Sequence, residues 1–132
     1  MSRISSIAVD TAPGELIDKI TILDIKAVRI ADPAKRANVG RELAALTRAR
    51  DRAIPPSARL DALTARLREV NADLWDIEDR IRECERDRDF GPVFVELARS
   101  VYRTNDRRAA LKRAINDLLG AAIVEEKSYA AY

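Results

Sequence analysis

Two polar side chains interrupt an apolar helical stripe in the C-terminal third of this 132-residue chain. Thr104 and Arg108 occupy positions that apolar residues fill elsewhere in the same stripe, which repeats with the 3-4 spacing of a helix. A guanidinium group at such a position is partly removed from water, and it therefore needs a carboxylate or an anionic ligand beside it. For this reason Arg108 is the centre of the candidate site.

The candidate site includes polar and aromatic residues from two helices that we predict to be antiparallel neighbours. A short turn at 89–92 joins these helices, so residues whose numbers add to about 180 lie at a similar height. The candidate ligand-binding residues are Arg108, Arg107, Asn105, Tyr102, Glu78, Asp76, Trp75 and Asn71. We expect the partner of Arg108 to be Glu78, Asp76 or another carboxylate.

A structural interpretation of the same residues remains open. A polar layer in a helical hairpin can fix the register of two helices without binding any ligand. Arg99, Arg103 and Arg107 would then form ordinary ion pairs with carboxylates of the preceding helix. Trp75 and Tyr102 either stack on a ligand or pack at an interface.

Composition excludes several kinds of catalytic and metal site. The chain has no His and one Cys, so it has neither His-based acid–base catalysis nor a Cys-based zinc site. It also lacks a phosphate-binding loop, a dinucleotide fingerprint and a serine-hydrolase motif. Asp76, Asp79 and Glu83 have a spacing that suits Mg²⁺, but a chain with 35% charged residues produces such spacing by chance. We therefore predict no metal and no cofactor, assign no catalytic residue, and leave open whether the protein is an enzyme.

Four apolar stripes with 3-4 spacing, separated by proline residues, predict the helices that position these side chains. The predicted helices run from near Pro13 to before Pro33, from Pro33 to before Pro55, from Ser57 to about Arg88, and from Pro92 to Gly120. The third carries an unbroken heptad seam that ends at Cys84, a buried apolar position. We predict an all-α fold, a single domain over 1–132. It is a four-helix bundle in which the first two helices pack against a long antiparallel hairpin. Residues 4–9 and 123–129 are expected to be short extended arms that can pair with each other.

Charge and hydropathy indicate which binding partners and which cellular location to expect for this protein. With 24 basic and 22 acidic residues, the formal net charge is +2, which makes a dedicated nucleic-acid-binding role unlikely. No apolar run is long enough to span a membrane, and the start of the chain lacks the apolar region of a signal peptide, so we expect a cytoplasmic protein. The first predicted helix is much shorter than the third. The seam that it leaves uncovered predicts a homodimer.

Three stretches of the chain are similar to a bacterial family. They are PGELIDKITIL at 13–23, LWDIED at 74–79 with IRECE at 81–85, and TNDRRAALKR at 104–113 with VEEKSY at 124–129. Over nearly its whole length the chain resembles this family of small helical proteins, which is known only as a domain of unknown function. The resemblance implies a bacterial, cytoplasmic origin, and it assigns no activity to any residue.

Two functions from different classes fit these observations. The first is a non-catalytic interaction or regulatory module, because catalytic motifs are absent and helical surface is abundant. Its partner is a second copy of the chain or another protein. The alternative is a small enzyme or binding protein for an anionic metabolite, phosphorylated or carboxylated. That alternative uses Arg108, Arg107 and Asn105, together with Glu78 or Asp76.

Overall fold

The computed structural model describes residues 3–132. Met1 and Ser2, which the predicted domain and the signal-peptide interpretation include, lie outside the described residues. The described chain forms four α-helices and no strand. The helices are α1 (Pro13–Arg29), α2 (Pro33–Ala53), α3 (Ala58–Arg86) and α4 (Pro92–Leu119). The predicted all-α fold is therefore confirmed.

Local sequence signals set most helix ends. Proline occupies the first turn of α1, α2 and α4, where the missing N–H leaves no hydrogen bond unmade. Asp32 caps α2 by accepting a 2.9 Å hydrogen bond from the backbone N–H of Lys35. Ser57 caps α3 by accepting a 3.1 Å hydrogen bond from the backbone N–H of Leu60. Gly120 ends α4 in the left-handed conformation, with φ of 66°.

The end of α3 differs from the prediction by two residues. The helix ends at Arg86, because the chain then turns back on itself before Pro92. The backbone N–H of Asp89 donates to the carbonyl of Cys84 at 2.9 Å, and Arg88 adopts a positive φ of 54°. This backbone turn places Arg88 in the left-handed conformation, so the helix ends two residues before the predicted position.

Three helices form the core, and the fourth is peripheral. α1 packs against α3 and α4, whereas α2 contacts α1 alone among the other helices. The prediction that both N-terminal helices pack on the hairpin therefore holds for α1 and is wrong for α2. The chain after α2 returns to the core through Ile54. The main buried cluster consists of Ile17, Ile54, Leu60, Leu63, Leu67, Val70, Leu111 and Ile115.

The C-terminal arm, residues 121–132, folds back along α4. Lys112 lies 3.4 Å from Glu125, Arg113 lies 3.8 Å from Glu126, and the hydroxyl of Tyr132 donates to Asp106. The suggested pairing of this arm with the N-terminal arm as a two-stranded ribbon is wrong, because neither arm forms a strand in residues 3–132. Charges on α4 hold the arm instead.

None of the helices within residues 3–132 combines the length and the apolar character that crossing a bilayer requires.

Candidate functional site

A buried polar layer joins the three core helices. It consists of Asp18 and Thr21 from α1, Asn71 from α3 and Arg108 from α4. Arg108 donates to both oxygens of the Asp18 carboxylate, from Nε at 2.9 Å and from Nη2 at 2.5 Å. Asn71 Nδ2 donates to Asp18 Oδ1 and to Thr21 Oγ1, each at 2.9 Å. Each core helix therefore contributes to one hydrogen-bonded unit.

Burial makes this layer electrostatically strong. Asp18 is 3% exposed and Thr21 is fully buried, while the Arg108 side chain keeps 29% exposure. The hydrogen bonds to Asp18 raise the pKa of Arg108 above its ordinary value, so the guanidinium stays charged. A bidentate arginine–carboxylate pair is among the stronger ion pairs in proteins, and it also fixes geometry. The layer therefore sets the register of α1 against α3 and α4.

The predicted partners of Arg108 are wrong, because the carboxylate beside it is Asp18. Asp76 lies 2.5 Å from Arg29 at the end of α1, and it is exposed. The same guanidinium lies over the ring of Trp75, 5.8 Å from the ring centroid. Glu78 is an exposed residue of α3. The structure thus places Asp76 and Trp75 in a separate surface cluster around Arg29, and Asn71 alone of the α3 candidates reaches Arg108's network.

The expected ion pairs between α3 and α4 are also replaced by contacts within α4. Arg99 and Arg103 both approach Glu96 of their own helix, at 3.6 and 3.0 Å. Arg107 is exposed and donates to the hydroxyl of buried Thr104 at 3.3 Å. These three arginines therefore find polar partners three or seven residues away on the same helix.

An open groove runs between α4 and the C-terminal arm, with a volume of about 1190 Å³. Its lining residues are Val101, Tyr102, Asn105, Asp106, Arg108, Ala109, Lys112, Lys127, Tyr129, Ala130, Ala131 and Tyr132. Three of the predicted site residues, Tyr102, Asn105 and Arg108, meet here. Lys112 and the aromatic end of the arm were not among the predicted site residues.

Charged and aromatic side chains meet in this groove. Three cationic side chains line it, Arg108, Lys112 and Lys127, against one acidic side chain, Asp106. Each cation is also paired with a carboxylate beside the groove, namely Asp18, Glu15 or Glu125. All three tyrosines of the chain also line it. The rings of Tyr102 and Tyr132 lie 4.8 Å apart between centroids, in a tilted arrangement. The groove therefore offers positive charge, hydroxyl groups and aromatic faces together.

A smaller cleft of about 210 Å³ adjoins the groove at Lys112 and Lys127. It is also lined by Glu15 and Glu125. Lys112 Nζ lies 2.7 Å from Glu15 and 3.4 Å from Glu125, and Lys127 Nζ lies 2.6 Å from Glu125. Hydrogen bonds with Lys127 and then Glu15, together with the charge of Lys112, lower the pKa of Glu125 from 4.5 to about 2. The Glu125 carboxylate is thus firmly anionic near neutral pH.

A close approach of α1 to α4 positions Lys112. The backbone N–H of Gly14 donates to Asn116 Oδ1 at 2.7 Å, and a Cβ at Gly14 would lie 2.5 Å from the Lys112 carbonyl oxygen. Only a residue without a side chain fits there. This contact sets Glu15, the next residue, beside the ammonium group of Lys112.

The sequence contained one usable signal for Asp18. This carboxylate lies in a helix with apolar residues on more than one face, so its burial could have been inferred in the same way as that of Arg108. A buried charge needs a partner of opposite charge, so two buried side chains of opposite charge are expected to pair. The groove had a weaker signal, namely that two of the three tyrosines, Tyr129 and Tyr132, fall within the last four residues.

Within residues 3–132 no three His, Cys, Asp or Glu side chains come together in a way that could hold a metal ion. Cys84 is buried and reduced. No protein-family model, curated protein or solved structure matches this chain. The resemblance to a bacterial family therefore stays a prediction, and function has to be inferred from the geometry of the polar layer and the groove.

Proposed function

We propose that this protein binds an anionic small molecule in the groove between α4 and the C-terminal arm. The observation that carries the proposal is the lining of the groove, where three cationic side chains and all three tyrosines of the chain come together. Lysine and arginine side chains bind phosphate and carboxylate oxygens through charge-assisted hydrogen bonds. The ligand class is a phosphorylated or carboxylated metabolite.

Two of the cations are held in place before any ligand arrives. Arg108 and Lys112 are four residues apart on α4, so they project from the same face of the helix. Asp18 fixes the first through two hydrogen bonds, and Glu15 fixes the second at 2.7 Å. Side chains that are already ordered lose little conformational entropy on binding, which favours affinity.

The size of the groove favours a metabolite over a free inorganic ion. Small-molecule sites have volumes of roughly 300–1,000 Å³, and the open groove here, at about 1190 Å³, lies just above that range. Tyrosine offers both an apolar ring face and a hydroxyl group, which suits a sugar or a planar ring attached to the anionic group. Asn105 adds an amide that can donate and accept.

The proposal is for binding rather than turnover. The carboxylates nearest the groove already have hydrogen-bond donors beside them. Asp18 accepts from Arg108, Asp106 accepts from Tyr132, and Glu125 accepts from Lys127. A general base needs a carboxylate free to take a proton from the substrate. This supports a binding or regulatory role for the site.

Thermal unfolding with a panel of anions tests the proposal. The panel contains pyrophosphate, adenosine monophosphate, glucose 6-phosphate and citrate. An anion that binds raises the unfolding temperature, because a ligand present at about 100 times its Kd adds about 2.7 kcal/mol to the free energy of unfolding. Ala109→Leu places a larger side chain on the groove floor and should abolish the shift. Ala110→Leu makes the same change on the exposed neighbouring residue, which does not line the groove, and should keep it. No shift with any anion, or equal shifts in both variants, contradicts the proposal.

A second candidate function, a non-catalytic interaction module that forms a homodimer, is favoured by the tip of the hairpin. α3 continues from Asp76, the partner of Arg29 at the end of α1, to Arg86. Near the turn that follows, Phe90, Val93 and Val95 are each about half exposed. We propose a second copy as the partner, because two identical hairpins present the same 3-4 seam to each other and can complete a four-helix bundle.

Light scattering over a range of protein concentrations tests this second candidate. A dimer that Val93→Glu dissociates, while Ala44→Glu on the exposed face of α2 does not, supports the hairpin tip as the interface. A monomer at tens of micromolar contradicts it. For either function we propose a cytoplasmic location, which suits a chain with a single buried, reduced Cys.

A further inference from the structure

We infer that Glu125 occupies an anion-binding position at Lys112 and Lys127, where the small cleft adjoins the groove, in the ligand-free protein, and that a phosphate group of the ligand displaces it from Lys112. The inference rests on the proposed function, because it describes how the same groove is filled before the ligand binds. It also assigns the acidic part of the ligand to a position between two lysines.

The contacts of Glu125 are those that a bound anion would make. Its carboxylate lies between two ammonium groups, 3.4 Å from Lys112 Nζ and 2.6 Å from Lys127 Nζ. The Lys112 side chain is only 12% exposed, so a ligand can approach it from few directions. Glu125 lines the small cleft that adjoins the groove at these lysines. An anion in the groove that reaches Lys112 therefore competes with Glu125.

Glu125 is suited to leave, whereas the other carboxylate at Lys112 is suited to stay. The Glu125 side chain is 46% exposed and belongs to an arm without helix or strand. An exposed ion pair contributes little to stability, so a ligand that makes several contacts outcompetes this single pair. Glu15, in contrast, extends from the rigid first turn of α1 beside Gly14. It keeps Lys112 in position after Glu125 has moved.

The geometry favours a phosphate over a carboxylate in the ligand. A carboxylate offers two oxygens and one negative charge, and Glu125 already supplies these. A phosphate monoester or pyrophosphate carries more charge and a third acceptor oxygen, so it can contact both lysines and still accept from Arg108. The ligand class is therefore a phosphorylated metabolite whose phosphate lies near Lys112, with its remainder along Tyr102 and Asn105.

Calorimetric titration of the full chain with pyrophosphate, and separately with citrate, tests the inference. Glu125→Gln removes the competing charge with almost no change in shape, and it should tighten pyrophosphate binding about two- to fivefold, since a site that is partly occupied by its own chain binds more weakly in proportion. Asp117→Asn is the matched control. This residue of α4 faces Arg113 at 3.8 Å, is 73% exposed and lines neither the groove nor the cleft, so the loss of its charge should leave the affinity within about twofold of the original.

The outcomes separate the inference from the proposed function. Tighter pyrophosphate binding in Glu125→Gln alone supports displacement. Equal affinities in the original chain and Glu125→Gln overturn displacement while the binding function stands. Equal gains in both variants also overturn it, because they indicate general charge repulsion. Citrate binding more tightly than pyrophosphate overturns the phosphate assignment. No binding of either anion to any of the three proteins overturns the proposed function and this inference together.

Discussion

Two ion pairs one helical turn apart on α4 use similar groups in different surroundings. Arg108 pairs with Asp18, which is 3% exposed and lies between three helices. Lys112 pairs with Glu125, whose side chain is 46% exposed and lies on an arm without regular structure. The comparison teaches that burial decides whether a charge pair is part of the architecture or can be exchanged for a ligand.

The physical reason is the environment left behind when one partner is removed. A buried carboxylate without its cation has no water to replace the lost interaction, so the folded state is strongly destabilised. An exposed carboxylate is hydrated at once, and the loss is small. The predictions that follow address these two pairs, from the largest expected effect to the smallest.

Arg108→Ala should lower the free energy of unfolding by about 3–5 kcal/mol, because it leaves Asp18 charged and buried. Urea unfolding followed by circular dichroism measures this change. Arg113→Ala, on the exposed face of the same helix, serves as the control and should change stability by less than about 0.5 kcal/mol. Similar losses in the two variants would show that burial does not distinguish the two sites.

Gly14→Ala should destabilise the protein by about 1–3 kcal/mol, the usual effect of forcing a methyl group into a filled space. The new Cβ would lie 2.5 Å from the Lys112 carbonyl oxygen and 2.8 Å from Asn116 Oδ1. Gly40→Ala is the matched control within α2, where no atom beyond the neighbouring residues and backbone of its own helix lies within 4 Å of the added Cβ. It should stabilise the protein by about 0.5–1 kcal/mol through its helix propensity. The two substitutions therefore shift the urea midpoint in opposite directions, and shifts of the same sign would contradict the close packing of α1 on α4.

Glu125→Gln should change the free energy of unfolding by less than about 0.5 kcal/mol, as exposed pairs usually do. Asp18→Asn makes the corresponding change in the polar layer and should lower it by about 1.5–3 kcal/mol, because Arg108 loses a charged acceptor. Thermal and urea unfolding of the two variants check the contrast. A large loss in Glu125→Gln would mean that the arm is part of the core architecture.

The pH dependence of the arm gives the smallest effect. The hydrogen bond from Lys127 is the largest cause of the lowering of the Glu125 pKa from 4.5 to about 2. The contact of the Glu125 carboxylate with the two lysines is therefore complete above about pH 4.5 and is lost as the pH falls towards 2. Nuclear magnetic resonance of the Glu125 carboxyl carbon measures this titration. Lys127→Met should move the midpoint back towards 4.5, whereas Arg113→Met should leave it unchanged. An unaltered midpoint in Lys127→Met would contradict the pairing.

The helix boundaries could be predicted from the sequence because they depend on nearby residues. Pro33 and Pro92 begin helices, Ser57 accepts a capping hydrogen bond, and Gly120 adopts the left-handed conformation that ends α4. Each signal acts over a few residues, so no tertiary information is needed. The end of α3 was predicted two residues too late because the turn at Arg88 depends on backbone geometry that the apolar pattern does not report.

The candidate site could be predicted only in part, because its contacts join distant parts of the chain. The interruption of the stripe at Arg108 correctly indicated a partly buried charge, and the layer also includes the predicted Asn71. The partner Asp18 is 90 residues away from Arg108, and the register of α1 against α4 decides the contact. The groove was missed because the C-terminal arm folds over α4 through scattered charges that have no periodic pattern.

The peripheral position of α2 has a consequence for how the protein opens. Val39 is the buried residue of this helix, and α2 contacts α1 alone among the other helices. A helix with one buried residue and a single neighbouring helix can detach without separating α1, α3 and α4. Amide hydrogens of α2 should therefore exchange with solvent through a low-energy partial opening, while those around Leu67 and Ile115 wait for global unfolding. The chain is thus a three-helix cooperative unit with a less stable helix attached at its side.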